Sequence, residues 1–246
     1  MAARRRVLIT RPAEDAGPLA DALQARGFAV LIEPLLHIRM REGPAPDLTG
    51  VQALAFTSAN GVRALVHAAP QAPGAGRPAF AVGPATAEAA KKAGFADVVS
   101  ADGDVDALGR LIAGRLDAEA GAVLHVAGSH RAGDLMGRLE AAGFRARLAV
   151  LYDAVASEGL TPEVRAAIEA SGVGWVLILS PRTAVGFVTL MQEAHLAARA
   201  VEICLVALSA AVAEAAAPLP WGEVRVAAAP RQDALLEALG RAPEGN

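Results

Sequence analysis

Residues 7–28, VLITRPAEDAGPLADALQARGF, lie without a gap over residues 123–144, VLHVAGSHRAGDLMGRLEAAGF. Val7-Leu8-Ile9 falls on Val123-Leu124-His125, Gly17 on Gly133, Leu19 on Leu135, Leu23 on Leu139 and Gly27-Phe28 on Gly143-Phe144. The match resumes further on. Phe56-Thr57-Ser58 meets Ile178-Leu179-Ser180, and Ala81-Val82-Gly83 meets Ala207-Leu208-Ser209. Ala87-Glu88-Ala89-Ala90 meets Ala213-Glu214-Ala215-Ala216, and Asp106-Ala107-Leu108 meets Asp233-Ala234-Leu235. The offset drifts only from 116 (123 − 7) to 127 (233 − 106). Identity at alanine counts little in so alanine-rich a chain. The Gly-Phe pairs, the strand–Ser pairs and the constant order count more, and they read as an internal duplication.

Both copies share one grammar. Val7–Thr10, Ala53–Thr57, Ala79–Val82, Val123–Val126, Trp175–Leu179 and Ile203–Leu208 are apolar runs of buried-strand length. Each ends in small or polar residues, and a helical pattern follows. Pro18, Leu19 and Leu23 mark an amphipathic helix that stops at Gly27, and Leu135 and Leu139 mark its counterpart before Gly143. Strands alternating with helices at this spacing imply parallel sheets covered on both faces. Right-handed crossovers then give an α/β fold of two similar, doubly wound parallel-sheet domains.

Composition narrows the functional class. Of 246 residues, 54% are apolar and 20% charged, so the chain is globular rather than disordered. A net charge of −3 offers no electrostatic footprint for nucleic acid or an anionic membrane. The single cysteine, Cys204, sits in the apolar run Ile203-Cys204-Leu205-Val206 and reads as a buried structural thiol. The opening Met1-Ala2-Ala3-Arg4-Arg5-Arg6 resembles the start of a secretion signal, but Val7-Leu8-Ile9 is too short to continue one. Arg4 to Arg6 read as a solvated leader. No apolar stretch reaches the length of a membrane span, and a cytoplasmic protein is expected.

In open parallel sheets ligands bind beyond the carboxyl ends of the strands, where helices begin and free N–H groups point outward. The turns there are Thr10-Arg11-Pro12, Thr57-Ser58-Ala59-Asn60-Gly61 and Gly83-Pro84-Ala85-Thr86 in the first copy. The second copy offers Gly128-Ser129-His130-Arg131, Ser180-Pro181-Arg182-Thr183 and Ser209-Ala210-Ala211. Nearly all are small, hydroxylic or cationic, a surface for anions read by backbone amides. The plainer account is that Ser and Thr cap helices, for roughly 1 kcal/mol each, and that Gly and Pro make turns. Six such loops in two matching sets favour a ligand cleft. No Walker phosphate loop, dinucleotide fingerprint, nucleophile elbow or Cys/His metal spacing occurs. His37, His67, His125, His130 and His195 form no motif, and His67 and His195 read as helix-surface residues.

At these loops the chain resembles the uroporphyrinogen-III synthase family. The resemblance is carried by Val7-Leu8-Ile9-Thr10-Arg11-Pro12, Phe56-Thr57-Ser58-Ala59-Asn60-Gly61-Val62, Val82-Gly83-Pro84-Ala85-Thr86, Leu148-Ala149-Val150-Leu151-Tyr152 and Ser180-Pro181-Arg182-Thr183-Ala184-Val185. It covers about residues 6 to 239, and its specificity lies in order, spacing and duplication. It implies an enzyme that takes hydroxymethylbilane, a linear tetrapyrrole polycarboxylate, expels its terminal hydroxyl as water, inverts the last pyrrole ring and closes the macrocycle. It implies no metal or organic cofactor, and nothing in the sequence demands more than a monomer. Thr10, Arg11, Pro12, Thr57, Ser58, Ala59, Asn60, Gly83, Pro84, Thr86, Gly128, Ser129, Arg131, Ser180, Pro181, Arg182, Ser209 and Ala210 would then hold substrate. Arg11, Arg131 and Arg182 would supply charge. Tyr152, the only tyrosine, matches the family's tyrosine and would assist departure of the hydroxyl, or else anchor a strand. The second copy departs from the pattern: Ser209 stands in place of Gly83, and Val212 in place of Thr86.

The duplication suggests a division near residue 117, but the resemblance implies another. Residues 1–36 and 153–246 would form one domain and 37–152 the other, joined by two extended crossings that act as a hinge. The rival readings are a two-domain small-molecule binding protein without chemistry and a regulatory module that has lost activity and recognises a tetrapyrrole or a protein partner.

Overall fold

The computed structural model describes residues 6–71, 73–131 and 133–242. Contacts divide the chain into two compact units, residues 1–37 with 155–246, and residues 38–154. Arg4 and Arg5 lie outside the described residues. Arg6 is no leader: it opens the first strand, its N–H bonds the Gly172 carbonyl and its guanidinium lies 3.5 Å from the Glu163 carboxylate.

In chain order the strands among the described residues are β1 (Arg6–Ile9), β2 (Val30–Ile32), β3 (Leu36–Met40), β4 (Val51–Phe56), β5 (Ala79–Ala81), β6 (Val98–Ser100), β7 (Ala122–Gly128), β8 (Ala146–Ala156), β9 (Val173–Ile178), β10 (Cys204–Ala207) and β11 (Glu223–Val226). The helices are α1 (Ala13–Ala25), α2 (Ala59–Ala68), α3 (Pro84–Lys92), α4 (Val105–Ala113), α5 (Leu135–Ala141), α6 (Pro162–Glu169), α7 (Pro181–Glu193), α8 (Ala210–Ala216) and α9 (Gln232–Leu239).

The first unit's sheet runs β11-β10-β9-β1-β2, wholly parallel. The second runs β6-β5-β4-β7-β8, also parallel, with β3 added beside β8. There the Arg41 N–H bonds the Leu151 carbonyl and the Ser157 N–H bonds the Leu35 carbonyl, an antiparallel pairing. Laid over each other, β9 matches β4, β10 matches β5, β11 matches β6, β1 matches β7 and β2 matches β8. This is the correspondence of the sequence repeat, so each sheet takes strands from both copies.

Strands covered on both faces bury alternate residues against different helices. In the first unit Leu8, Val176, Ile178 and Leu205 face a core with Phe187 and Met191 of α7 and Val212 of α8. Val7, Ile9, Leu177 and Val206 face Leu19 and Leu23 of α1 and Leu235 of α9. In the second unit Leu54, Phe56, Leu124 and Val126 pack with Val62 and Leu65 of α2, while Ala53, Ala55 and Val123 pack with Leu108 of α4 and Leu135 of α5. Each fully buried leucine contributes roughly 1.5–3 kcal/mol.

The helix ends explain the Gly-Phe pairs. Gly27 and Gly143 sit at φ 84° and 85°. The following Phe28 and Phe144 donate N–H bonds back to the Leu23 and Leu139 carbonyls, a left-handed closure that glycine makes cheaply. The first helix starts well before the Pro18-Leu19 pair that marks it. Helix α1 begins at Ala13, with Pro12 at its cap and Glu14 and Asp15 in its first turn, so Pro18 lies inside it and removes one N–H from the ladder. Contrary to expectation, His195 is not on a helix surface. It follows the end of α7 at φ 60°, where the Leu196 N–H closes onto the Met191 carbonyl, the role glycine plays after α1.

Cys204 is a buried free thiol, and burial pushes its pKa up to about 11. The protonated thiol is therefore a poor nucleophile at neutral pH.

Candidate active site

Each sheet has one place where consecutive connections leave in opposite directions, and there the strand-end loops diverge to leave a crevice. In the first unit it falls between β1 and β9. Thr10 follows β1, but its hydroxyl donates to the Leu177 carbonyl at 2.8 Å and the residue is 1% exposed. Its side chain spends its donor on fastening the two central strands together. Arg11 donates to the Gln232 Oε1 at 3.4 Å, and Pro12 caps α1 without a side-chain bond. Across the crevice the Ser180 hydroxyl accepts the Thr183 N–H at 3.1 Å and lies 2.7 Å from the Thr183 hydroxyl. Pro181 and half-buried Arg182 form the first turn of α7. Ser209 caps α8 without using its hydroxyl, and Ala210 beside it is exposed.

In the second unit the divergence falls between β4 and β7. Thr57, Ser58 and Ala59 are half-buried after β4, and the Ser58 hydroxyl accepts the Asn60 N–H at 3.1 Å. The buried Asn60 Oδ1 accepts from the Arg63 guanidinium at 3.1 and 2.5 Å. Gly83 caps α3 with no side-chain bond, and Pro84 occupies its first turn. Thr86 is 6% exposed, as Val212 at the matching position is 1% exposed. Their exchange is thus a change inside the helix–sheet packing rather than at the rim. Ser129, His130 and Arg131 are exposed after β7.

Tyr152 lies in β8 opposite Gly128 and is 7% exposed. A Cβ on Gly128 would lie 2.6 Å from the tyrosine Cε2 and 2.8 Å from its Cζ, so the ring rests on the bare glycine. The phenol end therefore lies beside the loop that leaves β7. The Ser129 N–H bonds the Tyr152 carbonyl.

Two groups in this region went unread in the sequence. Asp153 takes both oxygens to the Arg41 guanidinium at 2.9 Å each. Hydrogen bonds from Arg41 and Ser129 lower its pKa to about 2. A depressed carboxyl pKa stabilises the fold above the unfolded value near 3.8 and loses that contribution as pH falls toward 2. A carbon-detected NMR titration of Asp153 should place its midpoint near 2, and the Arg41→Gln variant should return it toward the ordinary carboxylate value. The second group is His125. It is 2% exposed within β7, with Nε2 3.1 Å from the Thr57 hydroxyl oxygen. Burial, with the nearby Arg131 charge, lowers its pKa to about 4. A histidine in an apolar strand is its only trace in the sequence.

Among the described residues no three His, Cys, Asp or Glu side chains gather as a metal would require. The two edges instead offer helix-start amides, small residues and a few arginines, which suit carboxylates.

The family model described as uroporphyrinogen-III synthase HemD matches residues 17–237. The uroporphyrinogen-III synthetase structure from Helicobacter pylori is similar at 18% identity and a TM-score of 0.64, covering 96% of this chain and 98% of that one. A mutant uroporphyrinogen III synthase from the extremely thermophilic bacterium Thermus thermophilus is similar at 19% identity and a TM-score of 0.54, covering 97% and 98%. No curated protein matches the chain.

Proposed function

The chain belongs to the uroporphyrinogen-III synthase family, and from that premise we infer how its residues carry the family's reaction. The family is a cyclising hydro-lyase: it converts hydroxymethylbilane to uroporphyrinogen III with loss of water, inversion of the last ring and closure of the macrocycle. The family match over residues 17–237 carries the assignment, and it disfavours a binding protein without chemistry.

The substrate bears carboxylates on every ring. The N-termini of α2, α3 and α7 supply amide donors, and Gly83 leaves its cap free of a side chain. Charge-assisted bonds of this kind contribute roughly 1.5–3 kcal/mol each, and Arg11, Arg131 and Arg182 add cationic partners. Loss of the hydroxyl leaves an azafulvene cation that closes without inversion when unguided. The enzyme's task is to hold the terminal ring so that the inverting attack is the near one, which is catalysis by orientation. Tyr152 donates a hydrogen bond to the departing hydroxyl, a role supported by the phenol's place beside the β7 loop.

The domains of this reading are residues 1–36 with 153–246, and 37–152, supported by contacts that divide after His37 and Ala154. The protein acts as a cytoplasmic monomer on a small molecule, without nucleic acid or membrane. The exclusion of nucleic acid is supported by the net charge of −3, and the described residues contain no helix long and apolar enough to cross a membrane. The deciding experiment supplies purified protein with hydroxymethylbilane and separates the product isomers. An excess of the type III isomer is expected; only the spontaneous type I isomer, from folded protein, would sink the assignment.

A further inference from the structure

We propose that His125 is a positioning residue that fixes the Thr57 hydroxyl as a hydrogen-bond donor to a substrate carboxylate. The proposal rests on the reading of Thr57 as a substrate contact.

His125 lies in β7 and Thr57 directly follows β4, the two central strands of the second sheet, where its connections diverge. In the register of β4 and β7, Ala55 stands opposite His125. Thr57, two residues on, shares the face of Ala55 and so reaches the imidazole. That face is otherwise apolar, packed with Ala53, Val123, Leu108 and Leu135. A polar ring there is costly unless it is bonded. Nε2 has Thr57 at 3.1 Å, but the buried Nδ1 finds no hydrogen-bond partner among the described residues.

That asymmetry selects a tautomer. Burial and Arg131 keep the ring neutral at pH 7, so it carries one proton. On Nδ1 the proton would be a buried donor with nothing to receive it. On Nε2 it is donated to the Thr57 oxygen, and Nδ1 keeps only a bare lone pair. Orphaned buried N–H groups are the rarer and costlier defect. The Nε2–H form therefore prevails. The Thr57 oxygen accepts from the ring, and its own hydrogen is left to donate elsewhere. Thr57 is half-buried at the crevice end of β4, where His125 itself has no exposure to speak of. A hydroxyl held in this way discriminates in favour of acceptors, and the substrate's carboxylates are acceptors. The opposite tautomer would make Thr57 donate inward and present only lone pairs to an anion.

Nitrogen-15 NMR of the full-length protein at pH 7 tests the tautomer directly. A protonated Nε2 and a bare Nδ1 are expected; a protonated Nδ1 or an imidazolium overturns the proposal. Kinetics test the consequence. His125→Leu removes the donor and should raise KM about five- to ten-fold with kcat within about two-fold, the scale of one ordinary hydrogen bond's net contribution. His125→Gln keeps an N–H within reach of Thr57 and should restore KM. Thr57→Val should raise KM equally, and the double variant no further. Independent, additive effects, or an unchanged KM in Thr57→Val, overturn it. If His125→Leu does not fold, the tautomer and the Gln and Val variants decide. Wild-type protein that forms no type III isomer overturns the functional assignment instead; the Nε2–H tautomer would then still be found, whereas the Nδ1–H tautomer overturns this proposal alone.

Discussion

Phenylalanine in place of Tyr152 is expected to lower turnover about ten- to a hundred-fold, the usual scale of assistance by a positioned acid, while leaving the fold intact. The ring is the anchor, and the substitution keeps it: Tyr152 is 7% exposed and rests on Gly128. Only the phenol oxygen is lost, so any fall in rate belongs to that oxygen. Gly128→Ala gives the complementary test. The new Cβ would meet ring carbons at 2.6 and 2.8 Å, closer than such atoms approach, so the ring must move while its hydroxyl survives. If the hydroxyl acts by where it is held, Gly128→Ala should lose turnover as Tyr152→Phe does. Type III formation, measured against the spontaneous type I background, reads both. Unchanged turnover in Tyr152→Phe would reduce the residue to a strand anchor. A fall in Gly128→Ala alone would assign the effect to the β7 loop.

Much of this was legible in the sequence because the repeat imposes its pattern on the strands. An apolar run such as Val7-Leu8-Ile9 has to be buried on both faces, and a Gly-Phe after a leucine pair has to close a helix. The duplicated order therefore marked six of the strands, including the central ones of both sheets; the short or exposed strands β2, β3, β6, β8 and β11 carried no such apolar run, and the division the repeat suggests near residue 117 is not the one the sheets follow. The direction of single polar groups was not legible. Thr10 and Thr57 both follow a central strand, yet one hydroxyl fastens two strands together and the other faces a histidine. That difference depends on what stands opposite in a neighbouring strand more than sixty residues away, which no local pattern encodes. His125 was invisible for the same reason. Similarity between the copies also overstated some positions. Gly133 sits at φ 75° against Val105, a left-handed position, whereas its partner Gly17 lies inside α1 with nothing within 4 Å of a would-be Cβ. The shared glycine answers a physical demand in only one of the two.

Gly61→Ala should be the more damaging of two glycine substitutions made in helices. A Cβ at Gly61 would lie 2.7 Å from the Val126 carbonyl oxygen and 3.5 Å from the Phe56 ring. Val126 belongs to β7 between two paired neighbours and cannot retreat, so the first turn of α2 must back away. Forcing extra atoms into such packing costs about 1–3 kcal/mol, or roughly 2–12 °C in Tm for a chain of this size. The movement also carries Ser58 and Asn60, whose hydroxyl and amide set the start of α2, so substrate affinity should fall along with stability. Gly186→Ala is the matched control with the opposite sign. Its site is inside α7, half-buried and open, and alanine there should stabilise by about 0.5–1 kcal/mol with KM unchanged. Equal melting temperatures for the two variants would mean that α2 does not approach β7 as closely as its glycine demands. The amide donors proposed at that helix start would then have to be sought elsewhere on the sheet's carboxyl edge.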